Sequence, residues 1–308
     1  MVLVSDYNGE MELHTLLRSD IRAFDFMPDD FGPVRGRLPD ARLTHHDDEA
    51  QLAAALGSAA YVLTWAFNAD WYERAPNLRA VLTPAAGADW VAPDPAGRVP
   101  VIHGTFHGEI LRESLLHAVL FMNHNMPAMI RNFEQRAWDR NLQHGSRLLA
   151  GQRALIIGYG SIGKSCGELL ERVGMQVVGV GRSASGDKRG IESLSDELPL
   201  ADHVVIVLPG DASTDGLIGA DELARCKDGA FIYNFGRGNA LPSAALLEHL
   251  PRLGGAFLDV VDEEPLPADS PLWQQPNVMI TPHSSCVYRD YIPRYLAEAA
   301  GKIAERER

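Results

Sequence analysis

The sequence predicts an α/β protein with two domains, a doubly wound parallel sheet in its second half and a smaller α/β domain in its first. Three observations predict it. The chain has 308 residues, 46% of them hydrophobic, enough for two cores rather than one. From about residue 150, short apolar runs rich in β-branched residues alternate with helix-compatible stretches. The first third repeats the alternation more weakly.

Taken in order, VLVS, YVLT, RAVLT and VPVIH read as strands, with helical candidates such as EAQLAAAL between them. Residues 108–138 carry apolar side chains at helical spacing and are expected to bridge the domains. Asn125, Met126 and Pro127 interrupt that segment, which predicts a kink or two helices. Then come ALIIG (154–158), QVVGV (176–180), HVVIVL (203–208), AFIYN (230–234), AFLDV (256–260) and VMIT (278–281). Continuous apolar strands with helices between them mean a parallel sheet covered on both faces. Six of them fit a doubly wound nucleotide-binding domain of the Rossmann type. The tail at 291–303 has helical periodicity and is expected to pack back on the first domain. No repeat of solenoid length is visible.

Composition excludes several classes of partner. The formal net charge is −13, with no dense Lys/Arg cluster to reverse it locally, so phosphate backbones and anionic membranes are repelled. Cys166, Cys226 and Cys286 are far apart, odd in number and free of any CxxC pair, which argues against disulfide frameworks and zinc ribbons. The N-terminus lacks the charged and hydrophobic regions of a signal peptide. The best apolar stretch, 115–122, is broken by His117 and is too short to span a bilayer. A cytoplasmic location is the expectation.

Gly158-Tyr159-Gly160-Ser161-Ile162-Gly163 follows the strand ALIIG and opens the helical stretch SIGKSCGELLERVG. In such a turn Gly158 permits the tight bend, Gly160 lets backbone approach a pyrophosphate, and Gly163 lets helix and strand pack closely. Amides of Ser161 and Ile162, at a helix start, would hold the anion. A lone GxGxxG also occurs in ligand-free turns, but the flanking strand, helix and next strand favour the dinucleotide. Beyond QVVGV, where a carboxylate would grip the ribose of NAD, stand Gly181, Arg182 and Ser183. Arg182 suits a 2′-phosphate, so NADP(H) is favoured and NAD(H) stays possible. Leu208, closing HVVIVL, and Pro209 after it complete the expected cofactor contacts.

Three polar residues lie just beyond strands of the same domain: Arg237 in NFGRGN, Glu264 in DVVDEEPLP and His283 in MITPH. Ligands of open α/β sheets bind at the carboxyl ends of strands, so all three should face one crevice. An Arg can clamp a carboxylate through two hydrogen bonds, and a His can deliver a proton near neutral pH. A carboxylate behind that His favours its charged form. These are the parts that keto-acid reduction needs beside a hydride carrier.

In GYGSIG, NFGRGN, FLDVVDEEPLPADSPLW and ITPH, taken in order, the sequence resembles the D-isomer-specific 2-hydroxyacid dehydrogenases, the family of glyoxylate/hydroxypyruvate reductases and of glycerate and phosphoglycerate dehydrogenases. The resemblance implies reduction of a small 2-keto acid to its D-2-hydroxy acid. By it Arg237 binds the substrate, His283 is the acid/base, Glu264 supports His283, and Asp259 contacts the nicotinamide amide. The stretch 84–89 resembles the family's substrate loop, with the amides of Ala86 and Gly87 receiving a carboxylate. It further implies a discontinuous, flavodoxin-like substrate domain from residues 1–102 and 284–308, a nucleotide domain from 103–283, and a homodimer formed through the segment after His103. A rival from another class keeps the fold but uses it as a nucleotide-sensing, corepressor-like binding protein. Formate dehydrogenases resemble the chain too, but carry Gln where Glu264 stands.

Other residues receive blander readings. His45-His46-Asp47-Asp48 reads as a solvated polar loop. His103 and His107 lack a carboxylate between them and make a poor metal pair, so no metal is expected. Trp65 and Trp90 read first as packing residues, with a pocket for a bulky substrate side chain as the sharper alternative.

Overall fold

The computed structural model describes residues 11–87, 90–142, 145–186 and 188–308. The expected strand VLVS lies outside the described residues. By internal contacts the described chain divides into two units: one runs to Phe106 and resumes with Val287–Arg308, the other is His107–Cys286.

The first unit contains β1 (Met11–Leu16), α1 (Gly32–Arg37), β2 (Ala41–His45), α2 (Glu49–Ala55), β3 (Tyr61–Thr64), α3 (Trp71–Arg74), β4 (Ala80–Thr83) and β5 (Val101–His103). Its strands are all parallel, in the order β2-β1-β3-β4-β5. That is the flavodoxin-like order the resemblance implies. Asp48 starts α2 by accepting a hydrogen bond from the Gln51 amide at 2.8 Å. Strands β3 and β4 are the expected YVLT and RAVLT runs, buried on both faces.

Strands β1 and β2 lack such runs, because polar side chains interrupt them and find partners across the pair, as Thr15 Oγ1 does with His45 Nδ1 at 2.9 Å. Arg42 meets Glu12 at 3.3 Å. The His45-His46 stretch is not a solvated loop: His45 ends β2, and His46 is buried with its Nε2 2.9 Å from Nδ1 of buried His14. The two rings stack at 5.2 Å, and burial lowers both pKa values, so two neutral imidazoles share one hydrogen bond.

The second unit begins with α4 (His107–Asn123) and α5 (Met126–Glu134). Asn125 between them is left-handed, at φ 54°, and Pro127 sits in the first turn of α5, so the expected interruption is a true break. There follow β6 (Arg153–Ile157), α6 (Ser161–Arg172), β7 (Gln176–Gly181), β8 (Arg189–Gly190), α7 (Leu194–Glu197), β9 (His203–Ile206), α8 (Ala220–Arg225), β10 (Phe231–Asn234), α9 (Ser243–His249), β11 (Gly255–Leu258) and β12 (Val278–Ile280). All strands are parallel, in the order β12-β11-β10-β9-β6-β7-β8. The six apolar runs are all strands of this sheet. Side chains alternate across it: Leu155, Ile157, Val204 and Ile206 enter one core, while Ala154, Ile156, Val205 and Tyr233 enter the other.

The order reverses at β6, whose neighbours are β7 and β9, and a crevice opens there at the strands' carboxyl ends. The last helix, α10 (Tyr291–Arg306), belongs to the first unit, where it packs against α1 and buries Tyr295, Leu296 and Ile303. Among the described residues no helix is long and apolar enough to cross a membrane.

Candidate active site

The glycine turn lies at the reversal point. Gly158 has φ +98°, open to glycine at little cost, and a Cβ there would collide with the Val207 carbonyl beside it. A Cβ on Gly163 would strike the Gly158 carbonyl, so this glycine lets α6 close onto β6. A Cβ on Gly160 would meet nothing within 4 Å, so the middle of the turn faces open space. Ser161 and Ile162 begin α6, where first-turn amides have no acceptor within the helix. An open cradle of backbone donors between two tightly packed glycines fits a pyrophosphate. Leu208 is buried and Pro209 exposed, just past neighbouring β9.

Arg237 stands on a turn wedged between two strand ends. A Cβ on Gly236 would come within 2.5 Å of the Leu208 amide nitrogen, and one on Gly238 would overlap the Val261 carbonyl. Buried Asn234 closes the turn, accepting from the Gly236 amide at 3.2 Å and donating to the Arg237 carbonyl at 3.1 Å. The half-buried Arg237 side chain crosses Gly210, whose missing Cβ would lie 2.9 Å from Arg237 Cγ. Its Nη1 donates to the Gly236 carbonyl at 3.1 Å.

His283 follows β12 with left-handed backbone, φ 48°, fixed by hydrogen bonds from its amide to the carbonyls of Asp259 (2.8 Å) and Thr281 (2.9 Å). Its Nδ1 lies 2.9 Å from Glu264 Oε2. An ionised carboxylate only accepts, so Nδ1 carries the hydrogen and Nε2 is left for proton exchange. The pair is partly open to water, with side-chain exposures of 48% and 38%. Glu264 Oε1 accepts from the Val261 amide at 3.2 Å, so the carboxylate is held on both oxygens.

Asp259 is 2% exposed. Its carboxylate accepts from Thr281 Oγ1 (2.6 Å), the Ser284 amide (2.9 Å) and the Ser285 amide (3.0 Å to one oxygen). Ser114 on α4 donates to the Ser285 carbonyl at 2.8 Å. These bonds staple the segment that carries His283, a role for Thr281, Ser284 and Ser285 that no motif announces.

Arg237, Glu264 and His283 thus follow β10, β11 and β12, three adjacent strands, at one end of one sheet. Ala86 and Gly87 belong to the other unit, in the turn after β4. The base of that turn is pinned by Thr83 Oγ1 on the Ala85 amide, by His103 Nδ1 near the Ala85 carbonyl and by the Tyr291 hydroxyl on the Pro84 carbonyl. Ala88 and Asp89 lie outside the described residues. In the same unit Trp65 packs edge-on to Trp90 at 6.2 Å and stacks on Tyr291, while Trp90 stays 58% exposed. At the end of β7, Arg182 and Ser183 are exposed, and Arg182 Nη2 lies 3.7 Å from Asp211 Oδ2.

This geometry has a family. Residues 116–285 match D-isomer specific 2-hydroxyacid dehydrogenase, NAD binding domain, more than half of the chain, and the chain belongs to that family. D-3-phosphoglycerate dehydrogenase of Escherichia coli (strain K12) is 30% identical over 246 residues, 76% of this chain and 60% of that protein. The chain therefore spans about 60% of the length of that curated relative. A putative 2-hydroxyacid dehydrogenase of Haemophilus influenzae is 29% identical over 233 residues, 70% of this chain and 74% of that one. Among solved structures, a D-isomer specific 2-hydroxyacid dehydrogenase from Xanthobacter autotrophicus Py2, in complex with NADPH and MES, matches at TM-score 0.79 and 26% identity, covering 97% of this chain and 95% of that one.

Proposed function

We propose that the chain is an NAD(P)-dependent oxidoreductase that reduces a small 2-keto acid to the D-2-hydroxy acid and catalyses the reverse. The observation that carries this reading is the His283–Glu264 pair at 2.9 Å, built after β12 and β11, beside the turn after β10 that presents Arg237. When bound, the nicotinamide supplies or accepts the hydride. Arg237 pairs with the substrate's carboxylate and polarises its carbonyl. His283 gives a proton from Nε2 to the carbonyl oxygen and recovers it in the reverse direction, with Glu264 fixing the ring's tautomer and orientation. The 158–163 turn holds the pyrophosphate, Leu208 and Pro209 line the cofactor's path, and Asp259 keeps the segment beside the nicotinamide in place. Ala86 and Gly87 remain the proposed backbone donors to an acidic ligand.

NADP(H) is the favoured cofactor. Arg182 at the end of β7 supports this, as does the NADPH bound by the Xanthobacter relative. The chain is proposed to act in the cytoplasm as a homodimer. Phe133, Trp138 and Leu148, exposed by 84%, 93% and 84% on and after α5, supply apolar surface for a second copy.

The test is oxidation of NADPH and of NADH with glyoxylate, hydroxypyruvate, pyruvate and phenylpyruvate, with Arg237→Ala as control. Turnover that the substitution abolishes is the expected result. Nucleotide binding without turnover on any of the four acids would favour the sensing-protein reading, which the ready acid/base pair disfavours.

A further inference from the structure

Gly181 closes β7 at the point where dinucleotide-binding sheets meet the adenosine ribose. It leaves more than an absent carboxylate. A Cβ on Gly181 would lie 2.5 Å from Lys188 Cδ and 3.0 Å from Lys188 Nζ. The lysine stem occupies the very space that a side chain at position 181 would fill. Local structure puts it there. Ser185 and Lys188 exchange backbone hydrogen bonds at 3.0 and 3.1 Å, which folds the chain into a tight turn. Arg189 and Gly190 then pair with Val180 and Gly181 as the edge strand β8. The turn returns Lys188 across the end of β7.

Two cations therefore stand at this corner, and they are not equivalent. Arg182 is 82% exposed and already faces Asp211 at 3.7 Å. The Ser213 hydroxyl and amide hold the Asp211 carboxyl below its usual range, so it stays charged and offsets part of the guanidinium's attraction for an anion. Lys188 is half-buried, and among the described residues no carboxylate pairs with its ammonium. A carboxylate on residue 181 would grip ribose hydroxyls, whereas an ammonium in that space attracts a dianion.

We propose that Lys188, seated in the space left by Gly181, is the principal phosphate-binding cation for the 2′-phosphate of NADP, with Arg182 in a lesser, Asp211-tempered role. This rests on the proposed dinucleotide reading and deepens it. The phosphate oxygens take the Lys188 ammonium as their counter-charge, and the rest of the nucleotide is held by groups common to NAD and NADP.

The experiment is equilibrium titration of NADP+, NAD+, 2′-AMP and 5′-AMP into the wild-type protein, Lys188→Gln, Lys188→Arg, Arg182→Gln and Gly181→Ala, followed by calorimetry. Lys188→Gln is expected to weaken NADP+ and 2′-AMP by about tenfold or more, leaving NAD+ and 5′-AMP within about twofold. Gly181→Ala, which displaces the lysine stem without removing a charge, should act in the same direction. Arg182→Gln should cost less than Lys188→Gln, and Lys188→Arg should keep most of the preference. A wild-type preference for NADP+ that survives both Lys188→Gln and Gly181→Ala overturns the role of Lys188 alone. A wild-type protein that binds NAD+ at least as tightly as NADP+ overturns the NADP reading and this role with it.

Discussion

His203 opens β9 at the amino end of the seven-stranded sheet, and His283 follows β12 at its carboxyl end. The first ring is fully buried between neutral groups, with the Tyr233 hydroxyl 3.0 Å from Nδ1 and Gln152 Oε1 2.9 Å from Nε2. Gln152 Nε2 donates to Asn123 Oδ1 and to the Leu148 carbonyl, so its oxygen accepts and His203 carries its hydrogen on Nε2. Burial lowers the His203 pKa to about 4. The second ring has a carboxylate on Nδ1, water access, and an Nε2 outside that pair. One sheet thus holds a histidine locked neutral, as part of its core, and one kept open to proton exchange. A perturbed or buried histidine is therefore not in itself a sign of chemistry. The partners decide.

Deleting each ring is the strongest way to break this comparison. His283→Ala is expected to lower kcat about a thousandfold while leaving the urea midpoint close to wild type. His203→Ala is expected to do the reverse, costing about 2–4 kcal/mol of stability because Tyr233 and Gln152 lose their buried partner. Denaturation curves and steady-state rates on both variants make the check. Equal loss of stability in the two would erase the distinction.

Acidity gives a smaller and more specific test. A histidine with a folded pKa near 4 and an unfolded value near 6.5 binds more protons when unfolded, so stability falls with pH inside that window. His203 alone should remove about 2–3 kcal/mol between pH 7 and pH 4.5. Asp202, beside it, accepts from Lys227, Arg147 and the Arg153 amide at 2.7–2.9 Å, and these bonds hold its carboxyl far below the usual range. Its contribution is present above the unfolded carboxyl pKa and is lost only at lower pH, so the two effects separate. Urea denaturation of the wild type and of His203→Ala across pH 7 to 4.5 should show a shallower slope in the variant.

What was legible in the sequence follows the same division between apolar burial and polar partnership. The central strands of the large sheet, β6, β9, β10 and β11, are readable because they are buried on both faces, which demands an unbroken apolar run, and the half-buried β7 and β12 beside them keep apolar runs of their own. Strands β1 and β2 are not, because Glu12, His14, Arg42 and His45 find partners only once the strands lie side by side. At the site, Arg237, Glu264 and His283 could be proposed from their place after strands. The staple on Asp259 and the return of Lys188 over Gly181 could not. Both depend on turns that fold the chain back, and no local pattern encodes their endpoints.

The smallest expected effect tests how Glu264 supports His283. Its two oxygens serve two donors, Nδ1 of His283 on Oε2 and the Val261 amide on Oε1. Glu264→Gln keeps the shape but has one good acceptor in place of two. Either the amide oxygen accepts from His283 and the NH2 group faces the Val261 N–H, or the reverse. Each arrangement leaves one donor opposed, and the one that opposes His283 also misplaces its Nε2 proton. Because the pair is partly exposed, water relieves much of that conflict and stability should barely change. The expected outcome is kcat lower by about tenfold with KM near wild type, since in the proposed mechanism the interaction orients the proton donor rather than the substrate. A Glu264→Gln protein with unchanged kcat would mean that the Thr281–Ser285 segment, stapled to Asp259, holds the His283 ring without help from Glu264.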